Sequence, residues 1–329
     1  MSDQEQRMDL KQLKALVTVA EVGSVTRAAE LLHLVQPAVT RQIRTLEHEL
    51  GVELFERSHT GMRLTDAGAV MVERAGRALR ELGRARAEIT PPPGVVGGLV
   101  TVGLLESSVD LIASRLAAAV LDGYPGIELR ILTAYSGHLQ RWMDDGDLDL
   151  SLLYNLSDSP SLNVAPLVSE QLWAVATADA GLCANRPVAL AEVAAHPVVM
   201  PASGHALRVL IDAAAAKADV IFDIGVQTNS MHLQKSLVID GRGWTILPAA
   251  GIVDDVAAGR LSAAPLRQPE IRRLIVLGIP RTGRMPAAVD IVSQELVRAT
   301  REAVCEGRWL SAQWCGDPDA VQSTRPRQG

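Results

Sequence analysis

The 329-residue sequence predicts an α/β body carried behind a mainly helical N-terminal segment. Three observations predict it: a helical apolar period over most of residues 8–90, a break at TPPPGVVGG (90–98), and a βαβ rhythm of short apolar runs after the break. Apolar residues make up 48% of the chain and charged residues 21%, which suits packed domains and excludes global disorder.

Leu10, Leu13, Leu16, Val17 and Ala20 recur on one face of a first helix that Gly23 stops. Ser24 is placed to cap a second helix carrying Ala28, Ala29, Leu31 and Leu32. Gln36-Pro37 opens a third, where the missing proline N–H costs nothing; Ala38, Ile43, Leu46 and Leu50 face inward, and Gly51 ends it. LFERSHTGMRLT (54–65) has short apolar pieces around Thr60-Gly61 and predicts a small hairpin or wing. From Asp66 to Ile89 the helical period returns, with Ala67, Val70, Met71, Ala75, Ala78, Leu79 and Leu82 in a stripe. A stripe of this length on so small a domain predicts a partner chain, the other reading being that it packs on the chain's own body.

Past the proline break, LVTVGLL predicts a buried strand and Ile112–Val120 a helix. Ile127–Leu132 is a second strand, and Leu139–Met143 begins another helix. Further strand candidates fall at 150–154, 172–176, 197–200, 220–222, 244–247 and 273–278, so a mostly parallel sheet is expected. The tail is expected to be disordered from about Gly316.

Cys183, Cys305 and Cys315 cannot build a disulfide framework. The seven histidines show no metal-ligand spacing among themselves or with the cysteines, so no metal or cofactor is expected. No nucleophile elbow, phosphate loop, zincin or dinucleotide motif is present, which argues against an enzyme. The first residues are polar and acidic where a signal peptide is basic then apolar, and the apolar run at 95–105 is too short to span a bilayer. A cytoplasmic chain without a membrane partner is expected. The net charge is -6, and residues 1–90 hold thirteen Lys and Arg against thirteen Asp and Glu. Any affinity for nucleic acid must therefore come from where the arginines sit.

Residues 24–50 read as two helices joined by a short turn, the second carrying Gln36, Thr40, Arg41 and Arg44 opposite its apolar side. Amide, hydroxyl and guanidinium groups on one helix face can enter a major groove; the same geometry also occurs in proteins that never touch DNA. Arg44 has a second expectation, as solvated surface or as a partner to Glu47 or His48 along the helix.

LKALVTVAEVGSVTRAAELL, then QPAVTRQIRTLEHELGVELFER, then LTDAG closely resemble the N-terminal domain of LysR-type transcriptional regulators. YPGIEL (124–129), LDL (148–150) and GRGWTILP (241–248) extend the resemblance to about residue 300. LRILTAYSGHL, SLLY and TNSMHLQKSLV further resemble the subset that includes nitrogen-assimilation control regulators.

The resemblance implies a winged helix-turn-helix over 1–65, a linker and dimerisation helix over 66–90 and a hinge at 91–97. It implies a two-lobed α/β effector domain like a periplasmic binding protein: lobe I over 98–170 plus 271–302, lobe II over 171–270. An extension, 303–329, follows. The chain is then a regulator binding double-stranded promoter DNA as a homodimer or homotetramer, contacting RNA polymerase if it activates, and modulated by a small organic effector such as a carboxylate. The alternative is a small-molecule-binding module without DNA-dependent regulation. Thr26 and Arg27 fall at the backbone-facing start of the first motif helix. Gln36, Pro37, Thr40 and Arg41 face the groove, while Arg57 and Arg63 flank the wing, within reach of phosphate or the minor groove. Val35 stands where the family usually has serine, and Val25 where it usually has an aromatic residue.

The same resemblance puts an effector between the lobes, with crossings near Ser169–Leu172 and Leu266–Arg273. Its candidates are Ser107, Ser108, Ser136 and Gly137 from the first lobe and Ser203, His205, Thr228 and Asn229 from the second, where loop hydroxyls and helix starts favour a carboxylate.

Overall fold

The computed structural model describes residues 8–58, 61–89, 96–156, 159–281 and 285–316. The chain divides into two units, Met1–Pro91 and Pro92–Gly329.

In the first unit, helix α1 (Leu10–Val22) begins at a capping box. Asp9 Oδ1 accepts from the Lys11 and Gln12 N–H groups at 2.8 Å, and the Gln12 side chain returns a bond to Asp9 N. Gly23 stops it at φ 67°, and Ser24 caps α2 (Val25–Leu31). Helix α3 (Gln36–Leu50) starts without any side-chain cap, because Val35 occupies that position. Strands β1 (Phe55–Ser58) and β2 (Gly61–Leu64) form the expected antiparallel wing, and α4 spans Asp66–Ile89.

Leu13, Leu16, Val19, Ala28, Val39, Ile43, Leu46 and Leu54 make the core, each of the larger side chains contributing about 1.5–3 kcal/mol. Ala15 and Val19 replace Leu10 on the buried face of α1, leaving Leu10 48% exposed. The α4 stripe divides in two. Met71, Val72, Ala75 and Leu79 pack on this core, while Val70 and Leu82 stay 60% and 50% exposed.

Two sequence features are explained by close backbone approach. A β-carbon on Gly61 would lie 2.5 Å from Gly23 O, the oxygen that accepts from Met62 N. One on Gly68 would lie 2.0 Å from Leu54 O. Thr65 completes this corner: its hydroxyl donates to Glu53 O at 2.8 Å and accepts from Gly68 N at 2.9 Å.

The second unit opens with β3 (Gly98–Leu105), α5 (Val109–Gly123), β4 (Ile127–Ala134), α6 (Ser136–Asp144) and β5 (Leu150–Tyr154). The long strand β6 (Leu162–Thr177) follows, then β7 (Val188–Ala189), α7 (Leu190–Ala194), β8 (Val198–Pro201), α8 (Ala206–Lys217), β9 (Ile224–Thr228), α9 (Met231–Ile239), β10 (Thr245–Pro248) and α10 (Val253–Ala257). Strands β11 (Leu261–Arg267) and β12 (Arg272–Pro280), helix α11 (Ala287–Cys305) and strand β13 (Ala312–Trp314) complete it.

The main sheet runs β4-β3-β5-β12-β6-β11-β7, with β10 and β13 also on β6, while β8 and β9 pair separately. Pairing is parallel at β3/β4, β3/β5, β7/β11 and β8/β9, but β6 is antiparallel to each of β10, β11, β12 and β13. The sheet is therefore mixed, correcting the mostly parallel expectation. The strand expected at 220–222 is a loop, β9 beginning at Ile224.

One strand threads the unit. Residues 162–171 of β6 pair with β12, and residues 172–177 pair with β10 and β11. The return path runs from Arg267 to Arg272. The C-terminal residues are built in: Arg115 on α5 pairs with Glu302 and Glu306 near the end of α11, and β13 lies on β6. The tail expected to be disordered lies, beyond Gly316, outside the described residues.

Candidate DNA-reading surface and effector cleft

The start of α3 is a short turn away from α2, with His33 at φ 53° reversing the chain between them. Thr26, Arg27, Gln36, Pro37 and Arg41 are exposed. Thr40 is half-buried and donates its hydroxyl to Gln36 O at 3.1 Å. Among the described residues, Arg27, Arg41 and Arg44 have no ion-pair partner, so their guanidinium groups are available to an outside anion.

The pairing of Arg44 with Glu47 or His48 does not form. Glu47 instead turns back to the wing, its Oε1 accepting from Leu54 N at 2.8 Å and Phe55 N at 3.3 Å. Arg63 on β2 is exposed, 3.8 Å from Glu56, too long for a strong pair. Arg57 stands on β1 opposite Met62; its side chain lies outside the described part. The result is a helix face of amide and unpaired guanidinium groups with a wing beside it.

In the second unit a cavity of about 20 Å³, room for about one water, lies among Leu105, Ser107, Tyr135, Tyr154, His205 and Arg273. Ser107 and His205 are the two sequence candidates that line it. The others do not reach it, and their bonds say why. Ser108 is fully buried and donates to Leu105 O at 3.0 Å; Ser136 Oγ accepts from Tyr154 N at 3.1 Å. Thr228 Oγ1 accepts from Ser230 N just ahead of α9, and the exposed Ser203 donates to Gln227. Gly137 and Asn229 are exposed.

The cavity is rich in donors. Arg273, only 3% exposed, donates through Nη2 to Ser107 Oγ at 2.6 Å and stands over the Tyr154 ring at 5.1 Å. His205 Nδ1 accepts from Leu207 N at 3.1 Å, so the neutral ring carries its proton on Nε2, which is buried and unpartnered. Tyr135 meets that ring edge-on at 4.0 Å.

Burial first, then Arg273 and His138, push the His205 imidazole down to about 4. Tyr154 Oη is also buried and unpartnered, the Leu207 N–H near it already donating to His205. Burial raises the Tyr154 phenol, and burial with Glu106 raises that of Tyr135, so both remain O–H donors.

Sequence reading missed Arg273, Tyr154 and the buried Glu170 that holds Arg273. The available signal was a charge inside an apolar strand pattern, Arg273 in RRLIVLGI and Glu170 in LVSEQLWAV. Among the described residues there is no group of three or more His, Cys, Asp or Glu side chains that could hold a metal, and no helix long and apolar enough to cross a membrane.

Residues 10–69 match the bacterial regulatory helix-turn-helix proteins of the lysR family, and residues 93–301 match the LysR substrate binding domain. The chain belongs to the LysR family. It is a DNA-binding transcriptional regulator with an effector-binding domain. Among relatives, the HTH-type transcriptional regulator BbuR of Bordetella bronchiseptica is 29% identical over 92% of this chain and 93% of its own. The nitrogen assimilation regulatory protein nac of Klebsiella aerogenes is 26% identical over 92% of this chain and 99% of its own. Full-length CbnR, solved with its target DNA, shares the fold at a TM-score of 0.66 and 22% identity, covering 90% of this chain and 99% of that one.

Proposed function

We propose that this LysR-type regulator reads promoter DNA with the start of α3 and reports the occupancy, by a small carboxylate or similar oxyanion, of the cavity beside Arg273, which has to widen from its one-water volume to admit it. The unpaired guanidinium and amide face of α2 and α3 carries the first half of this reading. Gln36, Pro37, Thr40 and Arg41 meet base edges, Thr26 and Arg27 the sugar-phosphate backbone, and Arg57 and Arg63 the phosphates flanking the wing. The solved CbnR complex with target DNA supports placing this domain on a duplex.

For the effector, Arg273, His205 Nε2–H and Tyr154 Oη supply donors and Ser107 sits on the same guanidinium. An arginine cannot act as a base toward that serine, which supports binding without catalysis. The division proposed is 1–65 for DNA, 66–90 for dimerisation and 91–97 as hinge, with lobes at 98–170 plus 271–302 and at 171–270. The exposed Val70 and Leu82 of α4 support a homodimer, or a tetramer of two dimers, acting in the cytoplasm where the promoter is. RNA polymerase is a partner if it activates. The similarity to nac supports a nitrogen-control-like role no more strongly than that to BbuR supports another.

The deciding experiment recovers genomic fragments bound by the purified protein at two salt concentrations, then compares Arg41→Ala on a recovered site and on unrelated DNA. A shared imperfect palindrome whose binding weakens as salt rises is expected, because phosphate contacts release counterions. Arg41→Ala is expected to cost about 1–3 kcal/mol on the specific site and far less elsewhere. Equal losses on both would make Arg41 a phosphate contact, and no enrichment at either salt would favour a binding module that does not regulate through DNA.

A further inference from the structure

Residues 306–316 lie beyond the stretch matched to the substrate-binding domain, yet strand β13 among them joins the sheet on its long strand β6. Gly307, at φ 72°, turns the chain after α11, and β13 then joins β6 opposite Val168–Glu170. Backbone bonds fasten it on both sides: Gln171 N to Ser311 O at 3.0 Å, and Cys315 N to Leu167 O at 2.9 Å. The Trp309 side chain is 1% exposed.

This arrangement aims two side-chain donors at Glu170, which is completely buried. Trp309 Nε1 and Ser311 Oγ donate to its Oε1 at 2.7 and 3.1 Å. The other oxygen, Oε2, holds Arg273 through Nε at 2.8 Å and Nη2 at 2.7 Å, and Nη2 reaches on to Ser107. A buried ion pair persists only where hydrogen bonds satisfy the lone pairs left over. Here the C-terminal segment supplies them; without it, Oε1 keeps only a long contact from Ala250 N at 3.4 Å.

We propose that Trp309 and Ser311 are positioning residues for the effector cavity, fixing Glu170 and through it the direction of the Arg273 guanidinium. The inference rests on reading that cavity as the effector site. It makes a segment outside the cavity lining a determinant of effector affinity. When the indole N–H is lost, Glu170 is free to turn toward another donor, and Arg273 moves with the carboxylate that holds it.

The test uses the full-length chain with Trp309→Phe, which keeps a buried ring and removes the donor, and Ser311→Ala. Modification of Arg273 by 2,3-butanedione is followed by peptide mass spectrometry, with the exposed Arg130 as control and amide hydrogen exchange of 312–316 measured in parallel. Trp309→Phe is expected to speed modification of Arg273 about tenfold, the scale of one hydrogen bond to a charged group. Ser311→Ala is expected to do so less, with Arg130 and the strand amides unchanged in both. Arg273 reacting at the wild-type rate in both variants overturns the proposal. So does acceleration that only tracks faster exchange of the strand amides, because loosened packing alone produces that. Acetate and inorganic phosphate are also titrated as protectants of Arg273 in the wild type. Absence of protection counts against the cavity as an anion site, while the rate comparison still decides whether Trp309 and Ser311 hold the guanidinium.

Discussion

His205 shows how one side chain joins fold and site. Its Nδ1 caps α8 by accepting from Leu207 N, which commits the remaining proton to Nε2 and points a donor into the cavity. The folded imidazole titrates at about 4 against 6.5 when free. Between those values the unfolded chain takes up a proton that the folded chain refuses, so stability falls as pH drops from about 6.5 to about 4 and this contribution is flat outside that window. His205→Gln is expected to remove this part of the pH dependence, read as the difference between the urea-unfolding curves of the two proteins across the window. A constant difference at every pH would show that His205 is not held neutral. Ser107 and His205 were legible as cavity residues because each sits between a strand and a helix. Glu170 and Arg273 were not, because a charge in a strand ordinarily marks a solvent-facing position. Only the three-dimensional pairing of β6 with β12 shows that these two charges answer each other in the interior.

At the level of elements, local signals carried the first unit and long-range pairing decided the second. Gly23, Ser24, Pro37 and Gly51 are helix boundaries whose chemistry is complete within a few residues, and the helices lie where those signals put them. Strand β6 was read only over its second half, since Pro166 and Glu170 interrupt the apolar run of the first. Strand β11, with Ala263, Ala264 and Pro265, lacks the branched residues that mark a strand, and pairing to β6 and β7 supplies what its composition does not. The start of α3 yields a prediction of its own. Val35 leaves the helix uncapped, and Pro37 removes one of the N–H groups a cap would serve. Ala38 N is the donor within reach, and it already bonds to Val35 O at 2.9 Å. Val35→Ser is therefore expected to stabilise the protein by about 0.5 kcal/mol, the low end for a restored cap, seen as a small rise in thermal midpoint. A gain several times larger would mean that the exposed valine itself disfavours the native turn.

For the whole molecule, the question is what covers the outer side of α4. Met71, Val72, Ala75 and Leu79 are occupied by the first unit's own core, which accounts for half of the stripe. Val70, Ala78 and Leu82 remain exposed and fall within an arc of about 120° on a regular helix, broad enough for a second helix to seat on. Two copies joined there present two α3 helices to one duplex. Linking them makes the second contact intramolecular, raising affinity on a paired site without any new contact to DNA. Val70→Asp combined with Leu82→Asp places charges on that face without touching the buried residues of the domain. The double variant is expected to keep its helical circular-dichroism spectrum, to sediment as a smaller species with a thermal midpoint lowered by the lost association, and to lose on the order of 100-fold in affinity for a two-half-site operator while changing little on a single half-site. An unchanged sedimentation coefficient would place the partner contact on another surface. Dissociation with undiminished affinity for the paired site would mean that each α3 reads its half-site alone.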